Sequence, residues 1–288
     1  MKKILKKLFH IVPDKLYLNM VYFYVFHKKL NLKNPLTYNE KLQWLKLYDR
    51  NPLYTTLVDK CAVKDYIKNL IGDEYVIPTI AIYDDVDDIN LNDLPESFVL
   101  KTTHDSGGVR ICKKRDTFDF DEAKNYLKSR LNQNYFYLWR EWPYKNVKPK
   151  IIAEKYIGDL NGIDDYKFFC FNGKVKYLFV ATDRQSQDEE TKFDFYDRQF
   201  NHLPIINGHP NSEKKLKKPL TFDKMVELAE IISFGIPHVR VDFYTKDEMV
   251  LFGEITFYHW SGFVPFVPEK WDTIFGNEIQ LPKRRDKV

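Results

Sequence analysis

Glycine is scarce in this chain, with 11 in 288 residues. A backbone with so few glycines has few places to turn tightly or to approach a ligand, so a glycine pair is informative. Cysteine is scarcer: Cys61, Cys112 and Cys170 are odd in number and widely spaced. They form neither a metal-binding spacing nor a disulfide framework, and a reducing cytoplasm is the expected compartment. No run approaches the ~18 consecutive apolar residues of a membrane span. No apolar stretch with a small-residue cleavage site follows Met1, so no signal peptide is expected. There is no Gly-x-Ser-x-Gly elbow, no Walker A loop and no dinucleotide fingerprint. The net charge of +4 calls for no nucleic-acid partner, though it suits an anionic substrate.

What is present is a globular composition, 44% hydrophobic and 30% charged, long enough for one large domain or two modest ones. Lys2, Lys3, Lys6 and Lys7 interleave with Ile4, Leu5, Leu8 and Phe9. This basic amphipathic piece reads as a terminal helix docked on the domain, with peripheral contact to an anionic membrane surface as the alternative. Up to about Gly72 the pattern is helical. Leu16 to Phe26 is an apolar run, and Thr37 to Glu40 is a capping box that opens a helix. In it Tyr38, Leu42, Leu45 and Tyr48 share one face. A further helix is expected over Tyr54 to Leu70, with Lys60 and Lys64 on one face.

From Tyr75 onward strands and hairpins take over. Val76 to Pro78, Ile80 to Tyr83, and Ser97 to Lys101 read as strands. A loop, Thr102 to Gly108, follows Lys101 and carries the pair Gly107-Gly108. Its amides can approach a polyphosphate, with an ordinary hairpin turn as the alternative. Asp119 to Leu131 is an amphipathic helix, and Tyr135 to Tyr144 reads as a packed aromatic cluster. Asn172-Gly173 joins two strands, and Thr221 to Phe234 is a helix with Thr221 as its expected N-cap. The order is α+β, not regular βαβ alternation.

One stretch organises the rest. His238 to Tyr244 alternates Val239, Val241 and Phe243 with Arg240, Asp242 and Tyr244, and a second β-prone run, Met249 to Phe257, carries Glu254 and Thr256. A hairpin with two carboxylates, a hydroxyl and an arginine suits Mg²⁺, which takes one or two carboxylates and completes its shell with substrate phosphates. An exposed edge hairpin with a surface ion pair is the alternative. The metal reading makes a geometric demand. A four-residue turn at Thr245 to Glu248 would pair Asp242 with Leu251 and put Glu254 on the opposite face, so the loop must be odd or a bulge must shift the register.

Four pieces in this order carry a family resemblance: Asp59-Lys60; Phe98 to Lys101 before Ser106-Gly107-Gly108; Ile152 to Ile157; and Arg240-Val241-Asp242 with Gly253 to Thr256. The chain resembles the ATP-grasp superfamily, and more closely the TupA-like ATP-grasp group of teichuronopeptide and capsule gene clusters. That resemblance implies an ATP-grasp fold whose two lobes clamp ATP. A helical N-terminal region would occupy 1–74, a small lobe 75–155, and a large lobe with the Mg²⁺ hairpin 156–288. It implies phosphate contacts from Lys60, Lys101, Ser106, Gly107 and Gly108. Glu154 would take the adenine amino group, with Lys155, Tyr156 and Ile157 at the hinge and Asp165 on the ribose. Lys167 and Arg240 would serve the reacting phosphoryl group, and Asp242, Glu254 and Thr256 the metal. His104, His259, Ser261 and Gly262 are candidate substrate contacts, while His238 reads as structural.

Three positions depart from the family pattern. Thr256 stands where Asn is common, Thr102 where many members have Pro, and Asp105 puts negative charge into the phosphate loop. The implied activity is an ATP-dependent carboxylate–amine ligase working through an acyl-phosphate. Family context adds a sugar carboxylate such as a uronic acid, an amino acid or amine, and surface-polysaccharide synthesis. The alternatives are a kinase acting on a sugar hydroxyl, a glycosyltransferase and a degenerate binding module. The Asp-Val-Asp at Asp85 to Asp87 mimics a glycosyltransferase motif but has no partnering nucleotide-sugar signature.

Overall fold

The computed structural model describes residues 10–158, 163–183, 190–246 and 248–284. The basic stretch 2–9, Asp247 and the last four residues lie outside them. In chain order the helices are α1 (Asp14–Phe26), α2 (Tyr38–Tyr48), α3 (Leu53–Val58), α4 (Ala62–Ile71), α5 (Phe120–Leu131), α6 (Phe136–Trp139), α7 (Phe222–Ile232) and α8 (Lys270–Glu278).

The strands form two antiparallel sheets. Four of them, β1 (Thr79–Tyr83), β2 (Phe98–Thr102), β3 (Val109–Cys112) and β4 (Ile151–Lys155), are ordered β1-β4-β2-β3. The other six are β5 (Asp165–Phe171), β6 (Lys174–Thr182), β7 (Lys192–Asp197), β8 (His202–Leu203), β9 (His238–Lys246) and β10 (Met249–Thr256). Their order is β10-β9-β5-β6-β7-β8.

Each sheet has its own core. Leu127 of α5, with Phe98, Leu100, Ile151 and Ala153, covers the smaller sheet. The larger sheet buries Phe168, Phe179, Val239 and Phe243 together with Tyr38, Leu42 and Leu45 of α2 and Val63 and Ile67 of α4. Helices α2 and α4 therefore share the core of the six-stranded sheet, while α1 packs in a separate cluster. Apolar residues at helical spacing on α2 explain this: they seek the widest apolar face available.

Several local expectations meet their physical cause. Thr37 and Glu40 form the capping box reciprocally. Asn172 and Gly173 both have positive φ, which the turn between β5 and β6 requires. Other expectations need correction. The helix expected over Tyr54 to Leu70 is two helices, because the Asp59 carboxylate accepts from the Cys61 and Ala62 amides and restarts the helix there. Val76 makes only an isolated bridge to Phe252, since Pro78 cannot donate to a ladder. Thr221 makes no side-chain cap bond to the helix; its hydroxyl meets that of Thr245.

Candidate active site

A cleft of about 580 Å³ separates the smaller sheet from the β9–β10 hairpin. Val99 and Ile111 of β2 and β3, with Ile77, give it an apolar wall, while Lys60, Lys101, Ser106 and Gly107 gather along it. The chain segment Glu154 to Ile157 also lines it, as do Asp165 and Glu254. A slot with one apolar wall and convergent cations suits a planar base bearing an anionic tail.

Glu154 is 4% exposed and is the counter-ion of two lysines. Lys101 Nζ lies 2.5 Å from one oxygen, and Lys64 of α4 holds the other. Burial pushes this carboxyl up, but Lys101 and Lys64 outweigh it and hold it below the usual carboxylate range. Burial lowers the Lys64 and Lys60 ammonium groups, against the pull of Glu154 on the first and of Glu254 on the second. Glu154 thus fixes where Lys64 and Lys101 point. Lys64 is a site residue that the sequence reading passed over, since a lysine pair on a helix is normally solvated.

The loop after β2 is braced from behind. Asp105 is 2% exposed, and Arg130 Nε of α5 donates to it at 2.6 Å. Thr102 Oγ1 donates to its other oxygen at 2.5 Å, and Lys60 donates to its carbonyl. The negative charge in the loop is therefore neutralised away from the cleft. Thr102, where a proline would have no hydroxyl, ties the loop closed. A Cβ on Gly108 would fall 1.7 Å from that Thr102 hydroxyl, so only glycine fits. His104 is turned aside: it is 2% exposed, and its Nε2 meets the carbonyls of Arg130 and Gln133 rather than the cleft.

Asp242 and Glu254 lie directly opposite one another across the β9–β10 ladder, and the register shifts between Phe252 and Glu254. The bulge at Gly253 satisfies the demand derived from the sequence. The ladder runs on to the pair Lys246 and Met249. Carried back from that pair without the bulge, the register would put Glu254 on the far face. A Cβ at Gly253 would lie 3.1 Å from the Asp242 carbonyl, which is why the bulged residue is small.

Asp242 is 1% exposed and Arg240 7%, which excludes the surface ion pair. Arg240 Nε and Nη2 donate to the two Asp242 oxygens at 2.7 and 2.8 Å. Nη2 also reaches Glu254 at 3.3 Å and the Thr256 hydroxyl at 3.1 Å. Lys167 bridges Asp242 and Asp165, lying 2.6 Å from the latter. Burial pushes the Asp242 carboxyl up, but Arg240 and Lys167 outweigh it and keep it below the ordinary range.

Arg240 is itself positioned. Its Nη1 donates to His259 Nδ1 at 2.7 Å, so His259 carries its proton on Nε2, which donates to Asn207 Oδ1 at 2.9 Å. The Asn207 amide donates to the carbonyls of Val264 and Pro265, which fixes its orientation. Burial and the neighbouring Arg240 push His259 well below the usual histidine range, so it stays neutral. Asn207 is a second residue the sequence did not single out.

Trp260, Ser261 and Gly262 follow with φ of 49°, 55° and 64°, three successive left-handed residues. Such a turn is strained for non-glycine residues, and it is gripped from outside. Lys46 Nζ of α2 donates to the Ser261 carbonyl at 2.7 Å, Gln43 donates to Ser261 and Gly262, and the Ser261 hydroxyl meets Glu141. Lys46 is 1% exposed.

Asp242, Glu254 and Thr256 together offer hard oxygen donors, which fit Mg²⁺. Among the described residues no three or more His, Cys, Asp or Glu side chains are placed to hold a metal ion by themselves. A cation here would therefore meet two carboxylates and complete its shell with substrate oxygens.

A family model described as TupA-like ATPgrasp matches residues 40–280. Among solved structures, the chain is similar to a D-alanine–D-alanine ligase from Bacillus anthracis complexed with ATP. The match is 15% identical, with a TM-score of 0.41, over 70% of this chain and 54% of that one. It is also similar to an L-amino acid ligase from Bacillus licheniformis, at 14% identity and a TM-score of 0.47, over 85% of this chain and 55% of that one. A D-alanine–D-alanine ligase from Helicobacter pylori matches at 13% identity and a TM-score of 0.45, over 84% and 69%. The chain thus spans little more than half the length of the first two ligases. No curated protein matches its sequence.

Proposed function

The chain belongs to the TupA-like ATP-grasp family, and from that premise we propose that it is an ATP- and Mg²⁺-dependent carboxylate–amine ligase. The observation that carries the reading is the meeting of Asp242 and Glu254 across the bulged ladder, beside Arg240, at a cleft ringed by Lys60, Lys101 and Ser106-Gly107.

The base occupies the apolar slot against Val99 and Ile111, with the backbone of Lys155 and Ile157 on its edge and Asp165 toward the ribose. Lys60, Lys101 and the Ser106 to Gly108 loop hold the phosphates; Lys101 exchanges Glu154 for phosphate oxygen as the nucleotide enters. Asp242 and Glu254 would hold Mg²⁺, which when bound would neutralise phosphate charge. Thr256 orients Glu254, its hydroxyl being 3.5 Å from that carboxylate.

Arg240 and Lys167 stand where the γ-phosphoryl group transfers to a substrate carboxylate. The acyl-phosphate forms as the β–γ bond breaks and ADP leaves. An amine then attacks the acyl carbon, phosphate departs and the amine gives up its proton. Arg240 offsets the negative charge that develops on the way. No protein nucleophile is needed. His259 acts through Arg240, and the Ser261-Gly262 turn borders the acceptor side.

We assign the acceptor as a sugar carboxylate, such as a uronic acid of a capsule or cell-surface polysaccharide precursor, and the donor as an amino acid or amine, in the cytoplasm. Family membership supports this. A phosphate-release screen of sugar acids crossed with amino acids, with Asp242→Asn as control, tests it. An amide that forms only with both partners and ATP is expected. Phosphorylated sugar with no requirement for an amine would make the enzyme a kinase. Turnover of a nucleotide sugar without ATP would make it a glycosyltransferase. Full activity in the Asp242→Asn variant would refute the site.

A further inference from the structure

Helix α1 carries apolar residues on both its inner and its outer face. Leu18 and Tyr22 are buried against Leu30, Leu47 and Phe263, and this inner face is anchored by the Tyr17 hydroxyl, which donates to the Leu138 carbonyl at 2.8 Å. The outer face is also apolar. Leu16 is 53% exposed, Met20 51%, Phe23 56% and Tyr24 81%, and Ile11 just before the helix is 76% exposed. Positions 16, 20, 23 and 24 form one stripe. Lone exposed apolar residues such as Leu220 need no explanation, but a stripe on a firmly docked helix does.

The charge along this segment is predominantly positive, although Lys28 is paired with Glu269. The first 36 residues hold eight lysines and one acidic residue, Asp14. That segment is net +7 where the whole chain is +4, so the remaining residues are net negative. Asp14 is neutralised by Arg50 at 2.9 Å and Arg140 at 3.1 Å. Lys15, Lys28, Lys29 and Lys33 are exposed at the two ends of the stripe. An apolar face flanked by lysines has the chemistry of an interfacial helix at an anionic lipid surface. The same charge disfavours a second copy of this chain as occupant, because a two-fold contact would set lysines against lysines.

We propose that the outer face of α1 docks on an anionic membrane, with Leu16, Met20, Phe23 and Tyr24 in the headgroup boundary and the lysines on acidic lipid headgroups. The proposal is independent of the reaction catalysed. Flotation of the full chain with neutral phosphatidylcholine vesicles, and with vesicles containing roughly 30% phosphatidylglycerol, tests it. Binding to the anionic vesicles alone is expected, weakening as salt rises.

The double variant Leu16→Ser/Phe23→Ser should bind at least about tenfold more weakly with unchanged ATP turnover, because both residues are outside the cleft. Lys29→Glu/Lys33→Glu should lose a similar factor at low salt. Absence of binding to anionic vesicles overturns the proposal, as does equal binding to neutral ones or binding unmoved by the Leu16 and Phe23 changes. A dimer in solution that the same changes dissociate would assign the face to a second copy instead.

Discussion

The two carboxylates proposed to hold Mg²⁺, Asp242 and Glu254, should separate stability from activity. Asp242 sits between two buried cations; Arg240 contributes Nε to one of its oxygens, and Arg240 Nη2 and Lys167 converge on the other. Asparagine keeps the shape but offers one acceptor oxygen, so its amide nitrogen must face a donor on one side. Removing one partner of a buried ion pair costs about 3–5 kcal/mol. Asp165 still holds Lys167, which favours the lower end, about 3 kcal/mol. For 288 residues the unfolding entropy is roughly 0.6 kcal/mol/K, so Asp242→Asn should lower Tm by about 5 °C. The Glu254 side chain is 44% exposed, with one contact to Arg240 at 3.3 Å. Glu254→Gln should therefore cost at most about 0.5 kcal/mol, less than roughly 1 °C. Both variants should reduce ATP-dependent phosphate release by about 100-fold or more. Nucleotide-free thermal melts beside turnover assays read both quantities. Equal Tm losses would refute the account of Asp242 as the occupied centre of the cluster, and retained turnover in either variant would refute the metal assignment.

Lys64→Met should raise the KM for ATP by about tenfold with a smaller change in kcat, because Glu154 then pulls Lys101 away from the phosphates; an unchanged KM would remove Lys64 from the site. Gly108→Ala should damage ATP binding, measured by calorimetry, because its Cβ would collide with Thr102 at 1.7 Å; wild-type affinity would show that the loop is not braced as described. His238 donates from or accepts at both ring nitrogens inside the core, and burial pushes it down to about 3. Its unfolded value is near 6.5, so below that pH the unfolded state takes up a proton that the folded state refuses. The stability it contributes is complete above about pH 6.5 and falls by about 1.4 kcal/mol per unit as pH drops toward 3. Urea unfolding between about pH 7 and 5 should lose one proton's worth of slope in His238→Gln, and an identical slope would contradict this.

What the sequence could and could not reveal has a physical basis. The β5–β6 hairpin was readable because Asn172-Gly173 states its own turn geometry. Pairing of Asp242 with Glu254 was readable as a condition, an odd offset, and Gly253 is the residue that meets it. The break at Asp59 to Cys61 was hidden because one capping carboxylate overrode continuous helical propensity. Lys64 and Lys46 were hidden for a common reason: a lysine reads as solvated until its buried partner, Glu154 or the Ser261 carbonyl, is brought to it from far along the chain. Asn207 lay in a polar loop, where nothing local marks the histidine it orients.

The arrangement of the two cores bears on how the chain is made. The smaller core is built from 86–153 and is complete once β4 has emerged. The larger core joins α2 and α4 to strands and helices as far as Ile279. At about 5–20 residues per second, Tyr38, Leu42 and Leu45 wait some 10–40 s on the ribosome for the sheet that covers them. During that interval a finished small lobe hangs between an uncovered apolar helix and a nascent β-sheet. Newly synthesised chains are therefore most exposed to chaperones, and to aggregation, through the Tyr38, Leu42 and Leu45 face of α2, which the larger core later covers.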